Sequence, residues 1–161
     1  MPNHSPLAIA NEFLRRRGSG GWPAQMQIQK LTYIAHGWNL AINKKPLVAE
    51  PPEAWDNGPV FRRIWDHVRD YGYRGTNCTF VDPFTNSEIK EELTPEEQAV
   101  IDHVWKKYGG YSGAQLSRMT HEPGTPWYKV YIEGDGKNEP LSNDDIQQHY
   151  VELALAGRAR Q

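Results

Sequence analysis

The sequence predicts a mainly α protein, a compact helical globule folded around one central buried helix and able to hold one small β-hairpin. Three observations carry this. Between Ala24 and Asn43, Ile28, Leu31, Ala35, Trp38 and Ile42 recur at helical spacing, and Tyr33, Ile34, Gly37, Leu40 and Ala41 widen that stripe. A helix apolar around most of its circumference belongs inside a domain. Helix-start signatures recur at Ser5-Pro6, Thr94-Pro95, Ser112 and Ser142. The length, 161 residues, suits a single domain spanning the whole chain, given the roughly 100–200 residues of a usual domain.

The elements follow in order. Ser5 caps a first helix that opens at Pro6 and runs through Arg17, broken by Gly18, Ser19, Gly20 and Gly21. The central helix comes next. Its one consistently polar strip is Gln29, Thr32, His36, Asn39 and Asn43, and it ends before Pro46. Prolines keep Leu47 to Glu53 non-helical, and Glu53-Ala54-Trp55 is a short extended piece. Asn57-Gly58-Pro59 makes a turn, with Pro59 expected to start a helix whose inner face is Val60, Phe61, Ile64, Trp65, Val68 and Tyr71; Gly72 stops it. Strand-prone Cys78-Thr79-Phe80-Val81, the Asp82-Pro83 turn and Glu88 to Glu92 suggest the small hairpin.

Thr94-Pro95-Glu96-Glu97 starts a helix that buries Val100, Ile101, Val104, Trp105 and Tyr108 and ends at Gly109-Gly110. Ser112 caps a short helix with Leu116 and Met119. His121 to Trp127 is a loop or single turn, and Glu133 to Pro140 an exposed connection. Ser142 caps a C-terminal helix over about 143–157, with Ile146, Tyr150 and Leu153 facing inward and Gly157 at its end; Arg158 to Gln161 fray.

Composition narrows the function. The formal charge is −2, with acids and bases interspersed, which argues against nucleic-acid binding. Arg15, Arg16 and Arg17 form a basic run, but at a helix C-terminus they complement the helix dipole. A lone cysteine, Cys78, leaves no disulfide framework and points to a reducing, cytoplasmic setting. No signal peptide begins at Met1 to Ser5, and no stretch approaches the ~18 apolar residues of a membrane span. Six tryptophans and eight tyrosines are the unusual feature: most belong in a core, yet aromatics also dominate protein–protein hot spots.

No chemistry-bearing motif emerges, so neither an enzyme nor a cofactor is expected. Glycine runs lack a following Lys-Ser or Lys-Thr, which excludes a phosphate loop. His121-Glu122 begins like a zinc-protease helix, but Thr125 stands where the second histidine belongs and Pro123 would break the helix. His36, His67, His103, His121 and His149 fall on different elements, so no metal site is expected. Asp66-His67 and Asp102-His103 are not dyads, because helix neighbours point about 100° apart. His36, on the polar strip, reads as a buried histidine satisfied by a hydrogen bond. The helix pair joined by Gly109-Gly110-Tyr111 has helix-turn-helix spacing, yet its second helix offers Arg118 as the only cation.

Three blocks carry a family resemblance. Gln29-Lys30-Leu31-Thr32-Tyr33-Ile34-Ala35-His36-Gly37-Trp38 resembles the leading signature of the Panacea (SocA-like) antitoxin domain, L-Q-K-L-L-Y-F-A-Q-G-W, with Ile28 replacing its first leucine and His36 its glutamine. Pro46-Leu47 followed by Glu53-Ala54-Trp55-Asp56-Asn57-Gly58-Pro59-Val60 is similar to E-A-W-x-x-G-P-V. Leu116-Ser117, Thr120-His121-Glu122 and Pro126-Trp127 are similar to L-S-x-x-T-H-x-x-x-P-W. The blocks cover about 25–127 in the family's order; Thr76 to Glu92 matches nothing in it. The resemblance implies a non-enzymatic, prophage-associated or bacterial antitoxin that neutralises a cognate toxin by direct binding. Its alternatives are an adaptor delivering the toxin to a cytosolic protease, or a DNA-binding regulator. The toxin-binding residues expected on this basis are Trp55, Asp56, Asn57, His121, Glu122 and Trp127. Trp55, Gly58 and Pro59 also read as fold architecture, since Gly58 permits a backbone conformation other residues resist.

Overall fold

The computed structural model describes residues 3–18, 25–75 and 78–159, for the last two of these the backbone alone. Ser19 to Ala24, and Arg160 and Gln161 of the expected frayed tail, lie outside them. Helix α1, Pro6–Arg17, is capped by the Ser5 hydroxyl, which accepts from the Leu7 N–H, and Gly18 closes it at φ 71°. Helix α2, Gln25–Asn43, is the buried centre. Around it lie α3, Arg62–Asp70; α4, Pro95–Tyr108; α5, Gly113–Thr120; a single turn α6, Pro126–Tyr128, running into a π-helical turn, Lys129–Glu133; and α7, Asn143–Ala159. Both short loops before α4 and α5 carry the reciprocal capping box, Thr94 with Glu97 and Ser112 with Gln115.

One core runs through the molecule. Phe13 and Leu14 of α1, Leu31 and Ile34 of α2, Ile101 and Val104 of α4, Leu116 of α5 and Ile146 of α7 are all buried in it. Gly37 sets how close α2 and α7 lie: a Cβ there would stand 2.2 Å from the Tyr150 ring. Glycine costs a helix interior about 1 kcal/mol relative to alanine, and here it opens the notch that seats Tyr150.

The strip of α2 expected to be polar is buried as well. Gln29, Thr32, His36 and Asn39 are at most 2% exposed. Buried polar groups need partners, and most of these find theirs in the non-helical segment 44–61. Gln29 Oε1 accepts from the Phe61 N–H (2.9 Å) and its amide donates to the Phe61 carbonyl (3.2 Å). His36 Nδ1 accepts from the N–H groups of Leu47 and Val48, and Asn39 donates to the Lys45 carbonyl. Thr32 donates back to Ile28. The strip therefore clasps a connection that cannot form its own ladder.

Several expectations are corrected. Pro59 does not start a helix: Glu53–Trp55 (β1) and Gly58–Val60 (β2) pair as an antiparallel hairpin with Trp55 opposite Gly58, and α3 begins only at Arg62. The predicted hairpin of 78–92 is reduced, among the described residues, to one bridge, Val81 to Glu88. That irregular segment docks through buried Asn11 of α1, which donates to the carbonyls of Phe80 and Ile89 and accepts from the Phe80 N–H. Cys78, half-buried, sits at φ 59° rather than in a strand. Helix α7 continues past Gly157. Ile42, 54% exposed, and Leu153 lie outside the core, as does Tyr71, whereas His67 is buried against Phe80.

Candidate functional site

Hairpin β1–β2 is too short to hold itself, since an isolated two-stranded hairpin is marginal at best. Side chains from distant elements hold its backbone instead. The Trp127 indole donates to the Trp55 carbonyl (2.6 Å), the Ser117 hydroxyl to the Asn57 carbonyl (2.5 Å) and the Lys30 ammonium to the Pro59 carbonyl (2.8 Å). Segment 138–141 adds an outer edge: Ala54 exchanges both backbone bonds with Asn138 and Glu139, and Leu141 donates to the Pro52 carbonyl. Gly58 lies at φ 114°, with Lys30 Cε 2.9 Å from where its Cβ would be. A side chain there would be strained and would displace Lys30.

Tightly held, the hairpin presents its two-residue loop, Asp56 and Asn57, to solvent. Five of the six expected contact residues converge on this face. Trp55 is half-buried, edge-on to Trp65 (5.6 Å between ring centres) and covered by the Arg62 guanidinium. His121, anchored to the Ser117 carbonyl, packs edge-on against Trp127 with 5.0 Å between ring centres. Trp127 is only 4% exposed, so it acts from behind as the anchor of Trp55. Glu122 is exposed beside His121, but its carbonyl holds Thr125, and among the described residues its side chain makes no contact with the hairpin.

Tyr131 completes the face and left no signal in the sequence. The π-helical turn, widened by one residue per turn, places its ring in a stack on Trp127, with 4.6 Å between ring centres. Its hydroxyl donates to the Asp56 carboxylate, and Lys137 lies 3.5 Å from the same group. The Tyr131 bond, with the nearby Lys137 charge, holds the Asp56 carboxyl below the usual carboxylate range.

The titratable groups beneath the face are unusual. Lys30 is 1% exposed, and burial pushes its pKa down to about 7. Among the described residues, which include every Asp and Glu of the chain, no carboxylate lies within ion-pair distance of it. Burial likewise holds His36 down at about 4, in keeping with a neutral ring whose Nδ1 accepts and whose Nε2 donates to Asn143. A histidine passed over in the sequence, His4, bridges Glu91 (2.7 Å) and Glu97 (3.0 Å); burial opposes its charge, but the two carboxylates outweigh this and raise its pKa.

The remaining motifs resolve into scaffold. Asp102 pairs with Arg16, and Asp66 with Arg69, not with the histidines beside them. Arg15 and Arg16 are both engaged by Glu12. Among the described residues no three His, Cys, Asp or Glu side chains converge to hold a metal, and no helix is long and apolar enough to cross a membrane. Helix α5 turns Leu116, Ser117 and Thr120 into the interior.

Compared with known proteins, residues 28–128 match the model of a family described as "Antitoxin SocA-like, Panacea domain". The chain is 30% identical over 144 residues to the protein named Antitoxin SocA from Caulobacter vibrioides, across 81% of this chain and 72% of that one. No solved structure matches.

Proposed function

Because the chain belongs to the SocA-like Panacea antitoxin family, we propose that it neutralises a cognate toxin in the cytoplasm by binding it directly, without chemistry of its own. The contact face is the hairpin loop with its surround: Trp55, Asp56, Asn57 and His121, braced by Trp127 and Tyr131, with Glu122 exposed at its margin beside His121. The observation that supports this reading most is the bracing. Three side chains from α2, α5 and α6 fix the backbone of a hairpin otherwise too short to persist, one of them at its loop, and a preorganised loop loses little entropy on binding.

The test is co-expression with the product of the neighbouring gene. That product should arrest growth alone, and this chain should restore growth and copurify with it. Asn57→Arg, on an exposed loop, should abolish both while leaving the circular dichroism melt unchanged. A harmless neighbour, or rescue untouched by Asn57→Arg, refutes the reading. Delivery to a protease is separated by rescue in cells lacking their ATP-dependent proteases: occlusion persists there, delivery fails. A DNA-binding regulator would retard its own promoter DNA in a salt-dependent way; the outward face of α5, with Arg118 as its one cation, speaks against it.

A further inference from the structure

We propose that the cavity beside hairpin β1–β2 receives a carboxylate next to an apolar group, presented by the toxin as an acidic side chain and its apolar neighbour; this rests on the reading that a toxin is bound at this face. The cavity holds about 460 Å³ and is lined by Met26, Gln29, Lys30, Trp55, Asn57 and Trp65 among others. Its size falls among small-ligand and side-chain receptors, roughly 300–1,000 Å³. Met26 and the two tryptophans supply an apolar wall, and Asn57, at the exposed loop, supplies a polar group.

Charge selects the occupant. An ammonium carries three donors, and Lys30 uses one, on the Pro59 carbonyl. Buried cations are ordinarily paired, because leaving water costs far more than one neutral hydrogen bond returns. None of the chain's twenty acids lies within ion-pair distance of Lys30. The one acid of the lining, Asp56, is already engaged by Tyr131 and by Lys137, itself a lining residue. The group behind the cavity wall is therefore a base without a counter-charge, and a charge on it would act through a low-dielectric interior where Coulomb attraction is weakly screened. An arriving carboxylate supplies the missing counter-charge and favours the charged form of Lys30, so binding takes up a proton.

Two arms test this. In the first, phenylacetate and its neutral amide, phenylacetamide, are titrated against the protein while the indole NMR signals of Trp55 and Trp65 are followed. Phenylacetate should bind at least about tenfold tighter, which corresponds to one favourable charge pair of about 1.4 kcal/mol. Lys30→Met should remove that preference. Equal binding of the two probes, or a preference that survives in Lys30→Met, overturns the cavity assignment. If Lys30→Met does not fold, Lys137→Glu, at an exposed rim position, replaces it: the preference should fall severalfold, and an unchanged preference overturns the assignment.

In the second arm the neighbouring gene's product is titrated near pH 8 by calorimetry in two buffers of different ionisation enthalpy. Wild type should take up close to one proton per complex, and Lys30→Met none. Tight binding without proton uptake overturns the toxin carboxylate as occupant. Failure of the wild type to bind that product refutes the function proposed above, while the phenylacetate arm still decides the cavity.

Discussion

Gln29 offers the sharpest test of how α2 holds the chain that crosses it. Its side chain is buried and meets both backbone groups of buried Phe61. The Phe61 carbonyl has further partners in the N–H groups of Ile64 and Trp65, whereas its own N–H has Gln29 alone. Gln29→Ala therefore orphans one buried donor, costing about 1–3 kcal/mol, and leaves a small void worth about 1 kcal/mol more. A loss of about 2–4 kcal/mol is expected in urea unfolding followed by far-UV circular dichroism. Gln29→Glu is more discriminating. Its carboxyl still accepts from the Phe61 N–H, but its second oxygen faces a carbonyl and can be tolerated only while protonated. Burial and that carbonyl raise the folded pKa above the unfolded value of about 4.3. Between those two values the folded chain holds more protons, so stability falls as pH rises. A two-unit shift makes the loss about 3 kcal/mol by pH 7, measured against wild type at each pH. Equal stability of Gln29→Glu and wild type from pH 5 to 7.5, or an alanine variant within about 0.5 kcal/mol, refutes the clasp.

Other expectations follow from single contacts. Gly37→Ala drives a Cβ into the Tyr150 ring and should lower stability by about 1–3 kcal/mol despite better helix propensity, read as a drop in Tm. Tyr33 carries a buried hydroxyl with no partner among the described residues, so Tyr33→Phe should be neutral or stabilising by about 1 kcal/mol in the same melt, and a clear loss would reveal a hidden partner. Lys30, at about 7 when folded against about 10.4 unfolded, leaves the unfolded chain with more bound protons between those values. Stability should therefore rise by about 1.4 kcal/mol per unit from pH 7.5 to 9 in denaturant titrations, and Lys30→Met should flatten the rise. His36, at about 4, acts in a lower window: below about 6.5 the unfolded chain binds the extra proton, so stability should fall as pH drops toward 4.

What could be read in advance was mostly local. The caps at Ser5, Thr94 and Ser112 satisfy donors two or three residues away, so a short window of sequence contains the whole interaction. Pro59 was misread for the opposite reason. Proline suits both a first helical turn and the start of a strand, and what decides is Ala54, Lys30 and Glu139, far apart in the chain. The depth of Gln29 and Asn39 is not written in their polarity, because burial follows the availability of partners and those partners are backbone atoms. Periodicity misled at Ile42 and Leu153, which continue apolar stripes yet stand exposed. At the candidate site, Trp55 and Asn57 were legible from the turn and the family blocks. Tyr131 was not, since a π-helical widening leaves no pattern in the residues, and nothing in the helical spacing sets Lys30 apart from a surface lysine.

The seat that Gly37 makes for Tyr150 sets the limits of what can be cut away. The stretch resembling the family ends at residue 128, short of α7, yet Tyr150 fills the notch on α2 and Asn143 and Gln147 bond to His36 and Leu40. Excised at the homology boundary, the fragment would carry an empty groove along its own axis and bare Tyr33 to water. The smallest autonomous unit is thus longer than the recognisable one, and expression clones, deletions or fusions should keep the C-terminal helix whole.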